Sequence, residues 1–573
     1  MRVDRFLILF IYSLTACLLC VNSATGRLSF HALSAPLLTT FLISWLTSLV
    51  ANKYIRQTVQ ILLGEFIIAI CLIDCYCQMV FDSPVNPQII SNIFLSDLRE
   101  IKEFLSVYIG SNVLRQWRLL VLFILLLTFP FALLVKWWKQ PASKPDNRIK
   151  FVWITLLIVC AIVETPATYR YCKLFFNKHR TDNIEGLIFR HYHEEVQTPI
   201  HRFLISCYTF SRSADELAGI KHSTLTAEID SCSFRSPHIV LVIGESYNKH
   251  HSSLYGYRLP TADLQQKRKD DGELFLFTDV VSPWNITSNV FLNMFSLWER
   301  NSDNLITDYP LFPYLFRKSG YDVSFFTNQY IVKGLRKGST SQTGHFFLSD
   351  RELSKSLFTY RNDKPANYDL GLIDQVKSYK NKRTQEYSLD IIHLIGQHFD
   401  YSLRYPQSQE LFTVDAYSQM PIEDDAKRTV MHYDNATRYN DMVLDRILSL
   451  YENEDAVVIY VSDHGEEVYD ELPVQGRLFQ DPTVLQAKNE YEVPMWIWCS
   501  DSYRNNHPDI IDAIQESTDK PFLTDGIPQM LLWLAGIDCV WIDESRNILS
   551  PLYESKPRII DGNTDYDELM NGI

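Results

Sequence analysis

The segments Ile239-Val-Leu-Val-Ile-Gly244-Glu245-Ser246 and Val457-Val-Ile-Tyr-Val-Ser462-Asp463-His464-Gly465 each begin as a continuous apolar run and stop at acidic or imidazole side chains. Short runs of this kind, rich in β-branched residues, predict buried strands. The carboxyl ends of parallel strands border one crevice, so Glu245, Asp463 and His464 are expected to lie together. Oxygen and nitrogen donors gathered in this way can hold a divalent metal ion.

Strand and helix patterns alternate from Pro237 onward. Strands are predicted at 239–243, 274–281, 321–326, 389–395, 456–461 and 494–498. Helical patterns lie between them, notably at 368–380 and 428–451. This alternation predicts an α/β domain with a mostly parallel central sheet that is flanked by helices.

A candidate nucleophile lies in a turn-rich stretch that leads into an apolar helix. Thr287 would stand at the N-terminus of that helix, where backbone N–H groups favour negative charge. A threonine there suits phosphoryl transfer if a metal or a base lowers the pKa of its hydroxyl. His393 and His398 end another strand and could hold a leaving oxygen, an acceptor hydroxyl or a second metal. Any single strand-end histidine or acid is more often a cap, so the prediction depends on the combination.

The first ~170 residues are of a different kind from the rest, because long apolar runs dominate them. Five membrane spans are predicted, at 5–22, 36–51, 58–82, 117–136 and 150–168. The basic residues between and before the spans place the N-terminus in the cytoplasm and everything after about residue 170 outside it. Residues 1–24 could instead be a cleaved signal peptide, which leaves the later topology unchanged.

The chain is therefore expected to have three parts. Residues 1–170 form a transmembrane domain with an outside loop at 83–116, residues 171–236 form an amphipathic connector on the membrane surface, and residues 237–573 form the soluble domain. The 573 residues carry a net charge of -14 and no basic tract, so no nucleic-acid partner is expected.

Two smaller sets of residues leave alternatives open. In the outside loop, three polar residues recur every fourth position on one helix face, which is either a solvated face or a grip for a lipid headgroup: Asn92, Ser96 and Glu100. Cysteines in the apolar runs are expected to be buried apolar residues. Four others could form two disulfides outside the cytoplasm, in a pairing that the sequence does not assign: Cys207, Cys232, Cys499 and Cys539.

A set of short motifs carries a resemblance to a known family. These motifs are Val-Ile-Gly-Glu245, Ser253-Leu-Tyr-Gly-Tyr257, Thr287 followed by Met294-Phe-Ser296, His393-x-x-Gly396-x-His398, Tyr433-Asp-Asn435-x-x-x-Tyr439-x-Asp441 and Ser462-Asp-His-Gly-Glu466. In this order and spacing the chain resembles the phosphoethanolamine transferases of the Gram-negative inner membrane, which belong to the sulfatase/alkaline-phosphatase superfamily. The resemblance covers nearly the whole chain, because that family joins five spans to a periplasmic sulfatase-like domain.

The resemblance implies roles for the candidate residues. Glu245, Asp463 and His464 match zinc ligands, and Thr287 matches a metal-bound threonine that is transiently modified. The other matches are histidines near substrate or a second zinc (His393, His398), a lysine near the headgroup (Lys333) and a set that binds the lipid donor (Asn92, Ser96, Glu100). The implied protein is a multi-pass inner-membrane enzyme with its catalytic domain in the periplasm.

The implied reaction has two half-reactions. Phosphatidylethanolamine, a membrane lipid, gives its phosphoethanolamine to Thr287, and lipid A, the lipopolysaccharide core or a periplasmic glucan then accepts the group. The resemblance is incomplete, because Gly476-Arg477 stands where members that modify lipid A carry a histidine. A glycerol-phosphate transferase of the lipoteichoic acid synthase type, usually dependent on Mn²⁺ rather than Zn²⁺, is the alternative.

Overall fold

The computed structural model separates the chain into two compact units. The first contains residues 1–212 and 478–480, and the second contains residues 213–477 and 481–573. The structure describes residues 3–20, 31–80, 85, 89–90, 116–138, 154–166, 169, 198–299, 302, 304–329, 350–478, 482–562 and 564–572.

Apolar helices make up the described part of the first unit. They are Val3–Leu19, His31–Ser48, Lys53–Val80, Trp117–Trp138 and Ile154–Pro166. All five lie where spans are predicted, but by length and hydropathy only Lys53–Met79 and Trp117–Leu134 are long enough to cross a membrane. The described structure therefore contains two helices with the properties of a span and three shorter or less apolar ones.

A seven-stranded sheet forms the centre of the second unit. In spatial order its strands are Leu274–Phe277, Met495–Cys499, Ala456–Ser462, His238–Gly244, Ser388–His393, Asp322–Thr327 and Tyr360–Arg361. All six predicted strands are present in this sheet. Two-residue strand pairs join Ser231–Cys232 to Ile537–Asp538, Val280–Val281 to Phe522–Leu523, Glu467–Val468 to Gln475–Gly476 and Ile559–Ile560 to Thr564–Asp565.

The sheet is mixed, so the prediction of a mostly parallel sheet is corrected. Met495–Cys499 runs antiparallel to both of its neighbours, Leu274–Phe277 and Ala456–Ser462. Between Ala456–Ser462 and Met495–Cys499 the described residues form only short elements, which are the strands Glu467–Val468 and Gln475–Gly476 and the helical segments Val484–Gln486 and Ala487–Tyr491, and Met495 lies opposite Val461. The next strand therefore starts from the same edge and must run back. A parallel return would need a crossover to the opposite edge, which is usually a helix.

Helices cover both faces of the sheet. On one face pack the helices Asp369–Lys380 and Asp424–Ser449, close to the predicted 368–380 and 428–451. On the other face pack Thr287–Phe295, Phe312–Ser319 and Ile527–Ala535. The remaining helices are Pro199–Leu225, Asp263–Asp270, Arg351–Leu357, Asp501–Asn506, Pro508–Gln515 and Tyr566–Asn571.

The central strands are fully buried because each packs against both helical layers. Ile239, Leu241 and Ile243 point to one layer, and Val240 and Val242 point to the other. This alternation explains why the sequence shows continuous apolar runs without a polar face. Burial on both faces also makes the register of these strands rigid, which matters for the residues at their ends.

Register brings the strand ends into line at one edge of the sheet. Gly244 lies opposite Ser462, and Ile243 lies opposite His393. The residues after these strands are therefore neighbours in space, as the sequence predicts for Glu245 and Asp463.

The described cysteines are all free thiols. Those in the apolar helices are buried, including Cys17 and Cys71, as expected. Of the four considered for disulfides, Cys499 and Cys539 are buried while Cys207 and Cys232 are half-buried.

Candidate metal centre and active site

Glu245, Asp463 and His464 form a buried cluster at the carboxyl edge of the sheet. Their ligand atoms all lie within 4.8 Å of one another, and all three residues are 0% exposed. His464 Nε2 is 3.5 Å from Glu245 Oε1 and 3.3 Å from Asp463 Oδ2. Among the described residues this is the only group of three or more acids, histidines or cysteines that is compact enough for a metal ion.

Thr287 completes the cluster with a hydroxyl. It is the first residue of the helix Thr287–Phe295 and is buried. Its Oγ1 donates a hydrogen bond to Glu245 Oε2 at 3.1 Å and lies 3.3 Å from His464 Nε2. The hydroxyl thus sits at a helix N-terminus between a carboxylate and an imidazole, where the peptide dipoles favour added negative charge.

The backbone around Glu245 is shaped for these contacts. Ser246 takes a left-handed conformation with φ 55°, and its N–H donates to Asp463 Oδ1 at 3.1 Å. Gly396 also has positive φ, and a Cβ there would lie 2.8 Å from the Glu245 carbonyl oxygen. The loop between His393 and His398 can therefore pack this closely on Glu245 only with glycine at position 396.

Burial of the cluster disfavours the charged forms of Asp463 and His464. Burial, together with the neighbouring Glu245 carboxylate, raises the pKa of Asp463 well above its usual value. Burial and the nearby Arg477 lower the pKa of His464. The two buried carboxylates lie close together with only a neutral imidazole beside them, and a cation bound among these three side chains would offset their repulsion.

The donor set fits a divalent metal ion. His464 Nδ1 is 2.7 Å from the Gly465 carbonyl oxygen, an acceptor, so Nδ1 carries the proton and the Nε2 lone pair faces the cluster. Asp463 Oδ2 is buried and accepts no hydrogen bond from the described residues. Two carboxylates, one imidazole and one hydroxyl are ligands suited to zinc.

The two strand-end histidines are placed nearby but outside this group of ligands. His393 Nδ1 is 3.0 Å from Thr327 Oγ1, and its ring packs on Phe291. His398 is buried, its ring contacts the Phe399 ring at a tilt, and it is close enough to influence the pKa of His464. Neither histidine belongs to a compact metal-ligand group among the described residues.

The other predicted site residues, Lys333, Asn92, Ser96 and Glu100, lie outside the described residues.

Three contacts near the cluster were not foreseen from the sequence. Gln329 Nε2 donates to Glu245 Oε2 at 2.9 Å. Tyr433 accepts the N–H of Asn248 at 2.7 Å and so holds the segment after Glu245. Asp369 accepts the backbone N–H groups of Ile395 and Gly396, which fixes the histidine loop. The available signals were that Gln329 follows a predicted strand and that Tyr433 begins one of the motifs of the family resemblance.

A family model of sulfatases matches residues 237–536, which is more than half of the chain. The chain belongs to the sulfatase family. The match covers the whole seven-stranded sheet and all four residues of the cluster, so the cluster lies inside the family's domain.

Relatives of this sulfatase-family chain extend the comparison. It is 24% identical over 518 residues to the phosphoethanolamine transferase EptC of Escherichia coli strain K12, which covers 87% of this chain and 84% of that protein. The crystal structure of the C-terminal periplasmic domain of E. coli EptC in complex with Zn is 26% identical, with a TM-score of 0.52 over 61% of this chain and 97% of that one.

A full-length membrane protein has the same fold. The integral membrane lipooligosaccharide phosphoethanolamine transferase A from Neisseria meningitidis is 16% identical, with a TM-score of 0.64, and the alignment covers 94% of this chain and 97% of that one. The Neisseria structure shows a likeness of fold, and the EptC relative and its domain structure confirm the sequence resemblance to phosphoethanolamine transferases.

Proposed function

We propose that the chain transfers phosphoethanolamine from phosphatidylethanolamine to an envelope glycolipid through a covalent intermediate on Thr287. The observation that carries the proposal is the position of Thr287 Oγ1, which lies within 3.3 Å of both Glu245 and His464 at a helix N-terminus. The relatives named above, which are phosphoethanolamine transferases, support the choice of group.

In the first half-reaction the Thr287 oxygen attacks phosphorus. Glu245 Oε2 accepts the hydroxyl hydrogen and orients the oxygen lone pairs away from itself. The P–Oγ1 bond forms as the bond between phosphorus and the glycerol oxygen breaks. The hydroxyl loses its proton, the glycerol oxygen gains one, and diacylglycerol leaves. The N–H groups at the start of the Thr287–Phe295 helix face the phosphoryl oxygens.

Glu245, Asp463, His464 and Thr287 would hold the metal ion. Bound there, Zn²⁺ would lower the pKa of the hydroxyl and offset phosphoryl charge. In the second half-reaction the bond from an acceptor oxygen to phosphorus forms as the P–Oγ1 bond breaks, the acceptor loses its proton and the Thr287 oxygen regains one. His398, close to His464 in the described site, is the residue we assign to hold that acceptor proton. His393, at the end of the strand Ser388–His393, would assist it.

We also propose an anchored, multi-pass arrangement. Residues 1–170 would cross the inner membrane five times, residues 171–236 would lie on its outer surface, and residues 237–573 would act in the periplasm. The helices Lys53–Met79 and Trp117–Leu134 support this, together with the basic residues on the predicted cytoplasmic side. Asn92, Ser96, Glu100 and Lys333 would bind the donor headgroup, as the family resemblance implies.

Mass spectrometry of lipids and lipopolysaccharide from cells with and without the chain tests the proposal. The expected result is an added phosphoethanolamine on lipid A or the core, with diacylglycerol released from phosphatidylethanolamine. Added phosphoethanolamine on periplasmic glucan would correct the acceptor. Added glycerol phosphate would instead identify the alternative transferase and contradict the proposal.

Substitution of the nucleophile tests the intermediate. Thr287→Ala should abolish both the modified glycolipid and the phosphoethanolamine adduct on the intact protein. The control is Thr278→Ala, an exposed threonine outside the cluster, which should leave both unchanged. A Thr287→Ala protein that still modifies the glycolipid would contradict the covalent mechanism.

A further inference from the structure

Arg477 contacts the candidate active site and has no role in the mechanism above. Its Nη1 donates a hydrogen bond to His464 Nε2 at 2.6 Å and lies 3.5 Å from the backbone oxygen of Asn285. Asn285 stands two residues before Thr287, so the guanidinium reaches both the ligand segment and the nucleophile segment. We propose that Arg477 binds the phosphoryl oxygens of the group being transferred and is a catalytic residue. This inference rests on the proposed function.

Metal binding and the hydrogen bond from Arg477 compete for one lone pair. Because His464 Nδ1 carries the proton that faces the Gly465 oxygen, Nε2 has only one lone pair for either a metal ion or Arg477 Nη1. When Nε2 binds a metal, the Nη1 hydrogen that it accepted is released for another acceptor, while Nη1 still faces the Asn285 oxygen. The phosphoryl oxygens of a substrate at Thr287 are acceptors that arrive within reach, and guanidinium groups match them geometrically.

A buried acid, Glu466, forms an ion pair with the Arg477 guanidinium. Arg477 Nε lies 3.3 Å from Glu466 Oε2, and the Tyr401 hydroxyl donates to Glu466 Oε1 at 2.9 Å. Glu466 is fully buried and fixes Arg477 through Nε. The Nη1 atom of Arg477 is then directed to His464. Gly476, with φ 100°, turns the chain so that Arg477 faces His464. Glu466 and Gly476 are therefore positioning residues for Arg477.

Arg477 is placed to act on the transferred group through direct hydrogen bonds. The carboxylates of Glu245 and Asp463 together offset a divalent ion, and Glu466 pairs with Arg477 Nε. The guanidinium stays protonated, so its Nη hydrogens can donate to the phosphoryl oxygens and stabilise the charge that develops on them. In the step itself the P–Oγ1 bond forms, the bond from phosphorus to the glycerol oxygen breaks, and Arg477 neither gains nor loses a proton.

The test uses the full chain in detergent, loaded with zinc, and phosphatidylethanolamine with a fluorescent acyl chain. Arg477→Ala should lower kcat/KM for release of fluorescent diacylglycerol by about 100- to 1,000-fold, mainly through kcat. Zinc content should stay equal to that of the wild type. Low millimolar guanidinium should restore part of the activity of Arg477→Ala, and Arg477→Lys should retain an intermediate activity. The control is Arg428→Ala, an arginine whose side chain is 61% exposed.

The outcomes separate this inference from the proposed function. If the wild type releases no diacylglycerol, the proposed function fails. If the wild type is active and Arg477→Ala stays within about threefold of it, only the inference fails. Loss of zinc in proportion to loss of activity, or no response to guanidinium, would show that Arg477 merely supports His464 and would also overturn the inference.

Discussion

Two buried clusters in the second unit contain the same residue types, histidine and carboxylates, and differ in how these groups are paired. The candidate metal centre joins His464 to two carboxylates. A second cluster joins His251 to Asp434 at 2.5 Å and to Asp470 at 3.0 Å. Both histidines are almost fully buried, yet their pKa values move in opposite directions.

The polar groups of the cluster around His251 form hydrogen bonds and ion pairs with one another. Burial alone would lower the pKa of His251, but Asp470 and Asp434 raise it to about 10, so the imidazole is a cation. The hydroxyls of Tyr257 and Tyr417 donate to the second Asp434 oxygen. Every ring nitrogen and the buried carboxylate have partners, so no cation is needed. The comparison teaches that residue types do not define a metal site, because the His251 cluster pairs its own groups whereas Asp463 Oδ2 has no hydrogen-bond donor among the described residues.

The largest expected effect comes from removing a charge at the metal centre. Asp463→Asn should lower activity about 1,000-fold or more and abolish zinc binding, because a carboxylate ligand is lost. After chelator treatment the same variant should be more stable to unfolding than the wild type by about 1–3 kcal/mol, because one of two adjacent buried carboxylates is gone. Zinc analysis and thermal unfolding measure both. If the chelated variant were less stable than the chelated wild type, the two carboxylates would not destabilise the metal-free site as proposed.

The second cluster should respond in the opposite way. His251→Gln should lower the free energy of unfolding by about 3–5 kcal/mol, because it leaves buried Asp434 without its cation. Zinc content per folded molecule should not change. The matched control is His507→Gln, a histidine paired with Asp455 near the surface, where the loss should be about 1 kcal/mol or less. Equal losses of stability in the two variants would show that the buried ion pair of His251 with Asp434 contributes no more than a surface pair.

The pH dependence of stability sharpens the same contrast. The folded-state pKa of His251 is raised from 6.5 to about 10, so its stabilising contribution is complete below pH 6.5 and is lost as the pH rises through 10. The difference in melting temperature between wild type and His251→Gln should therefore shrink over this range. A difference that grows with pH would show that His251 is buried in its neutral form.

The smallest expected effect concerns the backbone next to Glu245. Gly396→Ala should lower activity about tenfold and stability by about 1–3 kcal/mol, because its Cβ would meet the Glu245 backbone in a left-handed conformation. Gly272→Ala is the control, since Gly272 has φ 74° but no atom within 4 Å of an added Cβ. Strain alone would affect both variants equally, whereas only the contact with Glu245 lowers activity at position 396.

Strand direction marks one limit of the sequence. All six strands were predicted, because an apolar run fixes burial on both faces. Nothing in Met495-Trp-Ile-Trp-Cys499 records which edge of the sheet the chain enters from. Met495 lies opposite Val461, so this strand starts where Ala456–Ser462 ends and runs back along it.

The contacts around the cluster mark another limit. Glu245, Asp463 and His464 were identified because each directly follows an apolar strand. Gln329, Asp369 and Arg477 contact the same site from loops and a helix whose positions depend on packing. Their contacts join residues far apart in the chain, such as Gln329 with Glu245, and no local pattern predicts such pairs.

The sequence by itself determined the division into apolar and soluble halves, the strands and the residues at their carboxyl ends, because hydrophobic burial has a local periodic signature. Only the tertiary structure decided which cluster leaves a carboxylate oxygen without a donor, which strand runs antiparallel and that Arg477 donates to His464. These properties depend on distances between segments, and electrostatic and steric energies are set by distance and burial rather than by order along the chain.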